Sequence, residues 1–166
     1  MDKKLNPEIF KCVVENAPLI SIDFIVKDNN GKILLGKRVN EPAKGYWFTI
    51  GGRIFKNETI ENAQKRILKE ELNFSFYPQH STLKTQHSLL KFIGIYEHFY
   101  DTGFHDIPTH YVNLAYEIEI EVDELPKEQH SEYKWFSLEE VLQSEEVHKY
   151  VKDYFRLKDL GFSNEM

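Results

Sequence analysis

Apolar and polar positions follow one another in blocks along this chain, and the blocks read as a succession of helices and strands. Asn6-Pro7 has the form of a helix start, with Asn as cap and Pro in the first turn, and the helix runs to about Asn16, before Pro18. Residues 19–27 alternate as a strand, Asp28-Asn29-Asn30-Gly31 reads as a hairpin turn, and residues 32–37 form the returning strand. A loop over 38–45 leads to a short aromatic strand, 46–50, and then to the pair Gly51-Gly52. Ile60, Ala63, Ile67, Leu68 and Leu72 recur at helical spacing. Residues 75–88 are polar and irregular and take no assignment. Strands are expected over 89–100, 109–122 and 133–136, with loops at 101–108 and 124–132. Ser137 with Glu140 forms a capping box, and a last helix runs from about Glu145 to Leu160, ending at Gly161. The order predicts a single α/β domain over residues 1–166, with helices packed on a mixed sheet.

Composition narrows the class of protein. The 166 residues suffice for one domain with a sizeable core. A net charge of −6 disfavours a general nucleic-acid or anionic-membrane binder, although a nucleotide needs only a local basic pocket. The single Cys12 rules out an internal disulfide framework and fits a reducing compartment; its neighbours Phe10, Val13 and Val14 suggest that it is core. No signal-peptide pattern or membrane-length apolar run is visible. The expectation is a cytoplasmic enzyme or binding domain without nucleic-acid or membrane partners.

The chemistry concentrates in GGRIFKNETIENAQKRILKEELNF, residues 51–74. On a period of about 3.6 residues, Arg66 and Glu70 share a helix face with Glu71 beside them. Such charges can be a solvated surface. They can also be a carboxylate cluster for a hard cation, and the glycines, which let backbone carbonyls come close, favour that reading.

This spacing resembles the Nudix box. Gly52, Glu58, Arg66, Leu68, Glu70, Glu71 and Phe74 fall in register with it. Ile67 stands where the family has a glutamate that binds metal or activates water, and Asn73 stands where it has glycine. Asn tolerates the left-handed conformation that ends a helix, so the second departure is mild. Around the box, SIDFIV, LLGKR, GYWF, EHFYD, THYV and EQH give a chain that is similar to the GDP-mannose mannosyl hydrolases, a Nudix branch that also lacks the glutamate. The likeness spans residues 18–136.

The resemblance implies a Nudix-type α/β/α sandwich with a mixed sheet. It implies hydrolysis of GDP-mannose, or GDP-glucose, to GDP and free sugar by inverting attack of water at the anomeric carbon. Gly51 through its carbonyl, Glu71 and Gln129 would hold one Mg²⁺ per subunit, with Mn²⁺ as a substitute, and His130 would be the general base. Arg38 and Arg53 would neutralise the departing GDP, and Asp23, His98 and Tyr111 would line the sugar and leaving-group region. Lys37 is a further phosphate contact. A homodimer is expected on the same ground. The chemistry is coherent, because Mg²⁺ and two guanidinium groups suit a leaving diphosphate, and His suits a base near neutrality.

Plainer readings stand beside these. Taken alone, His130 is a surface histidine in a polar loop, His98 and Tyr111 are sheet residues, and Arg66 orients the helix carboxylates. Two other classes stay open. One is a conventional Nudix pyrophosphohydrolase cutting at phosphorus, and the other is a non-catalytic nucleotide-sugar-binding module.

Overall fold

Strand β1 (Leu19–Lys27) is the spine of the fold, buried along both faces apart from Ile20 and its last residue. A run of apolar and β-branched residues suits a strand covered on both sides. In the computed structural model, which describes residues 5–76, 89–122 and 125–156, β1 lies parallel to β6 (Thr109–Glu119) and antiparallel to β2 (Ile33–Arg38) and β4 (Ile50–Arg53). Strand β2 also pairs with β3 (Trp47–Phe48) and β7 (His130–Phe136), and β5 (Leu90–Tyr100) lies beside β6 at the edge. The sheet is mixed, as expected.

Helices cover both faces. On one, Ala63, Ile67, Leu68 and Leu72 of α2 (Ile60–Leu72) pack on Ile22, Phe24, Val26 and Ile50. On the other, Val141 of α3 (Leu138–Gln143) and Val151 and Tyr154 of α4 (Lys149–Arg156) pack on Ile25, Leu35 and Phe48. These two apolar layers make the α/β/α sandwich. Helix α1 (Pro7–Asn16) starts as its sequence predicts, with the Asn6 side chain accepting from the Glu8 N–H at 2.9 Å. The capping box of Ser137 and Glu140 is formed in both directions.

Four expectations need correction. The aromatic strand at 46–50 is two short strands, because the chain leaves β2 for β1 at Thr49. Strand β7 begins at His130, not Tyr133; it pairs with Arg38 across an irregularity at Lys37/Arg38, and the exposed Ser131 and Glu132 hide the alternation. Cys12 is exposed on α1 rather than core. The last helix begins at Lys149, after Val147 bridges to Trp47. Its expected end at Gly161, most of the unassigned stretch 75–88, and Asp123 and Glu124 lie outside the described residues. Among the described residues no helix is long and apolar enough to cross a membrane.

Candidate active site

A cavity of about 510 Å³ opens where β4, α2 and the N-terminal helix meet. Gly51, Glu71, Gln129, Arg38, Arg53 and Asp23 line it, with His98 and Tyr111. Eight of the ten residues that the resemblance assigns to the site thus line one space. Lys37 and His130 are not part of its wall.

The box helix is held by Arg66. Its guanidinium grips both oxygens of Glu58 at 2.8 and 2.9 Å, donates to the Arg53 carbonyl at 2.8 Å and reaches Glu70 at 3.0 Å. Glu58 in turn accepts from the Phe55 N–H. This clamp fixes the loop that follows β4 onto α2, and among the described residues no arginine is in ion-pair contact with Glu71. Thr59 caps the start of α2, and Asn73 ends it at φ 54° in the left-handed region, as its place in the motif predicts. Ile67 is 1% exposed and packs against Gly52, where an added Cβ would lie 3.2 Å from its Cγ1. The position that carries a glutamate in the motif is here an apolar element of the cavity floor.

Glu71 is 9% exposed, and burial pushes its carboxyl up to about 7, against the pull of Arg38. A buried carboxylate short of countercharge suits a cation. The β4 backbone at Gly51 and the amide of Gln129 line the same cavity. Carbonyl, carboxylate and amide oxygens are the hard donors that Mg²⁺ takes, so the residues present fit such an ion. When bound there, it would supply positive charge beside a departing diphosphate. Gly51 must be glycine for the approach of β4 to β1, because a Cβ there would collide with the Asp23 carboxylate and the Ile22 carbonyl.

His130 sits behind Glu71, 1% exposed, with Nδ1 3.6 Å from Glu71 Oε2 and 3.3 Å from the Tyr133 hydroxyl. That hydroxyl gives its proton to the Pro126 carbonyl at 2.6 Å, so Nδ1 is the donor toward Tyr133 and Nε2 keeps the lone pair. Nε2 has no hydrogen-bond partner among the described residues. Burial and the nearby Arg38 lower the imidazole to about 4, which keeps it neutral. The ring lies flat against Gly36, where any Cβ would strike it. Gly36 was visible within LLGKR, but nothing local marked it as the seat of the histidine.

Asp23 anchors the other side. Its Oδ2 accepts from the Thr49 hydroxyl at 2.9 Å and the Tyr154 hydroxyl at 2.5 Å. The Tyr154 oxygen also meets His98 Nε2 at 3.3 Å and Asn113 Oδ1 at 3.4 Å, and Asn113 donates to Ser21 at 2.9 Å. His98 stacks on Tyr150 with centroids 4.2 Å apart, and burial lowers its pKa. Tyr111 is raised by burial, opposed by Arg53 and Arg38. Tyr150 and Tyr154 are missing from the sequence reading. Their spacing of four on one helix was the available signal.

The cations are differently placed. Arg38 donates through Nε to the Pro42 carbonyl at 2.8 Å and lies near the Phe48 ring. Arg53 stacks over Phe10 of α1 at 3.9 Å, and burial lowers its pKa. Phe10 itself packs edge-on against Phe104, so α1 completes the cavity wall. Lys37 points over Trp47 at 5.5 Å.

Comparison with known proteins agrees with this architecture. Residues 17–157 match the NUDIX domain family. The chain is 36% identical over 155 residues to the low-salt glycan biosynthesis protein Agl8 of Haloferax volcanii, covering 90% of this chain and 88% of that one. Among solved structures, the MutT protein from Methanosarcina mazei is similar with a TM-score of 0.67 at 21% identity, over 87% of this chain and 96% of that one. The NUDIX domain of Shewanella oneidensis NrtR, solved with ADP ribose, has a TM-score of 0.61 at 19% identity, over 95% of this chain and 94% of that one. The chain belongs to the Nudix family.

Proposed function

We propose that this Nudix hydrolase cleaves nucleotide sugars at the sugar carbon, converting GDP-mannose, or GDP-glucose, to GDP and free sugar with inversion. The observation that carries the reading is Ile67. With an apolar, buried side chain in place of the box glutamate, α2 offers no carboxylate at that position for attack at phosphorus. Mg²⁺ would be held by the Gly51 carbonyl, Glu71 and Gln129, one ion per subunit, with Mn²⁺ able to replace it. Arg38 and Arg53 would draw charge from the leaving diphosphate. Asp23, His98 and Tyr111, which line the same cavity, would face the sugar and the leaving group. The likeness to a glycan biosynthesis protein fits a sugar-linked substrate.

His130 would take the proton of the attacking water through the free Nε2 lone pair. Its burial outside the lining means that the cavity wall must part, or admit a water, for that transfer. The same burial favours a second reading, in which His130 only holds Glu71 and the bond is cut at phosphorus as in other Nudix enzymes. Incubation with GDP-mannose and Mg²⁺ separates the two. GDP plus sugar supports attack at carbon, and GMP plus sugar phosphate supports attack at phosphorus. A cytoplasmic homodimer acting on a small nucleotide substrate, with no nucleic-acid or membrane partner, completes the proposal.

A further inference from the structure

We propose that Tyr154, on α4, is the positioning residue that sets Asp23 and His98 against the sugar; this rests on the nucleotide-sugar reading. Asp23 is a carboxylate only 5% exposed, and it has no ion-pair partner among the described residues. A buried charge in that condition depends on its hydrogen bonds. Both fall on Oδ2, from Thr49 and Tyr154. With Oδ2 committed, Oδ1 is the oxygen left beside Gly51 in the cavity wall. Thr49 is fixed because it is the point where the chain passes from β3 to β4.

Tyr154 does more than hold Asp23. Its single proton goes to Asp23, the shortest of its contacts. Its oxygen can then only accept from His98, which makes Nε2 the protonated nitrogen of that ring. Donors therefore run in one direction, from His98 Nε2–H to the Tyr154 oxygen, and from the Tyr154 O–H to Asp23. Tyr150, one turn earlier, fixes the plane of the same imidazole by stacking. Two tyrosines spaced by one helical turn thus orient two cavity residues that belong to β1 and β5. Tyr154 is fully buried and does not line the cavity, so it acts through Asp23 and His98.

Tyr154→Phe removes the hydroxyl and keeps the ring. In steady-state turnover with Mg²⁺, kcat/KM for GDP-mannose is expected to fall about tenfold or more, the size of a lost hydrogen bond to a charged group. The Ki of the product GDP, which lacks the sugar, is expected to change by less than about twofold. Equal losses in both would mean general loosening and overturn the proposal, as would no change in either. Failure of the wild-type protein to turn over GDP-mannose overturns the substrate reading itself. Should Tyr154→Phe not fold, the ¹⁵N shifts of the wild-type His98 imidazole decide. Protonation at Nε2 supports the chain of donors, and protonation at Nδ1 overturns it.

Discussion

The Glu71 carboxylate lies 3.6 Å from Nδ1 of His130, an acid raised to about 7 beside a base lowered to about 4. Burial disfavours charge on both groups. Without a cation, each is therefore held toward its neutral form. A divalent ion at Glu71 reverses the balance for the acid.

Glu71 and pH govern the response to metal. A carboxyl whose folded pKa is raised to about 7 stabilises the fold at low pH and loses that contribution as pH rises from its ordinary value through 7. A cation that needs the ionised form competes with the proton below pH 7. The increase in Tm on adding Mg²⁺ should be small near pH 5.5 and largest near pH 8. Glu71→Gln should abolish this pH-dependent gain and lower Mg²⁺-dependent turnover by orders of magnitude, with the fold intact. An equal gain in Tm at both pH values would show that Glu71 is not the ligand. Glu70→Gln should cost much less, since Arg66 already holds Glu70.

The seat of His130 can be tested from both sides. His130→Gln should lower kcat by roughly 10²–10⁴, the range for loss of a general base. Gly36→Ala should act in the same direction without touching the histidine chemically, because the new methyl lands on the imidazole. Overpacking of this kind costs about 1–3 kcal/mol, read from denaturant unfolding. Full activity in Gly36→Ala would show that the ring position is not critical.

How much of this was legible in the chain follows the range of the interactions. The box, its clamp residues and the helix caps are set by near neighbours, so spacing displays them. Asn73 at its left-handed cap is such a case. His130 looked like a loop residue because Ser131 and Glu132 are polar. Its burial comes from β2, some ninety residues earlier in the chain and reached only through the sheet. Tyr154 is bound to Asp23 across a separation of 131 residues, and the local pattern of α4 shows only an amphipathic helix. Cys12 failed for the opposite reason. Its apolar neighbours are real, but a helix turns each residue by about 100°, and Cys12 faces outward while Val14 is buried.

Ile67 reports on whether the box position serves packing. Ile67→Ala should destabilise the protein by about 2–5 kcal/mol, as large-to-small changes in a core do. It should leave the products of turnover unaltered, because no reacting group is removed. A variant with unchanged stability would show that Ile67 is not part of the α2 core.

The bond expected to break is the one between the sugar carbon and the bridging oxygen. Turnover of α-linked GDP-mannose in ¹⁸O-labelled water with Mg²⁺, with the products followed by NMR and mass spectrometry, decides it. One displacement at carbon, with no nucleophile from the protein, inverts configuration. Attack at carbon puts ¹⁸O on the anomeric oxygen, leaves GDP unlabelled, and gives β-mannose as the first sugar formed. Label in a phosphate, or α-mannose as the first product, would contradict it.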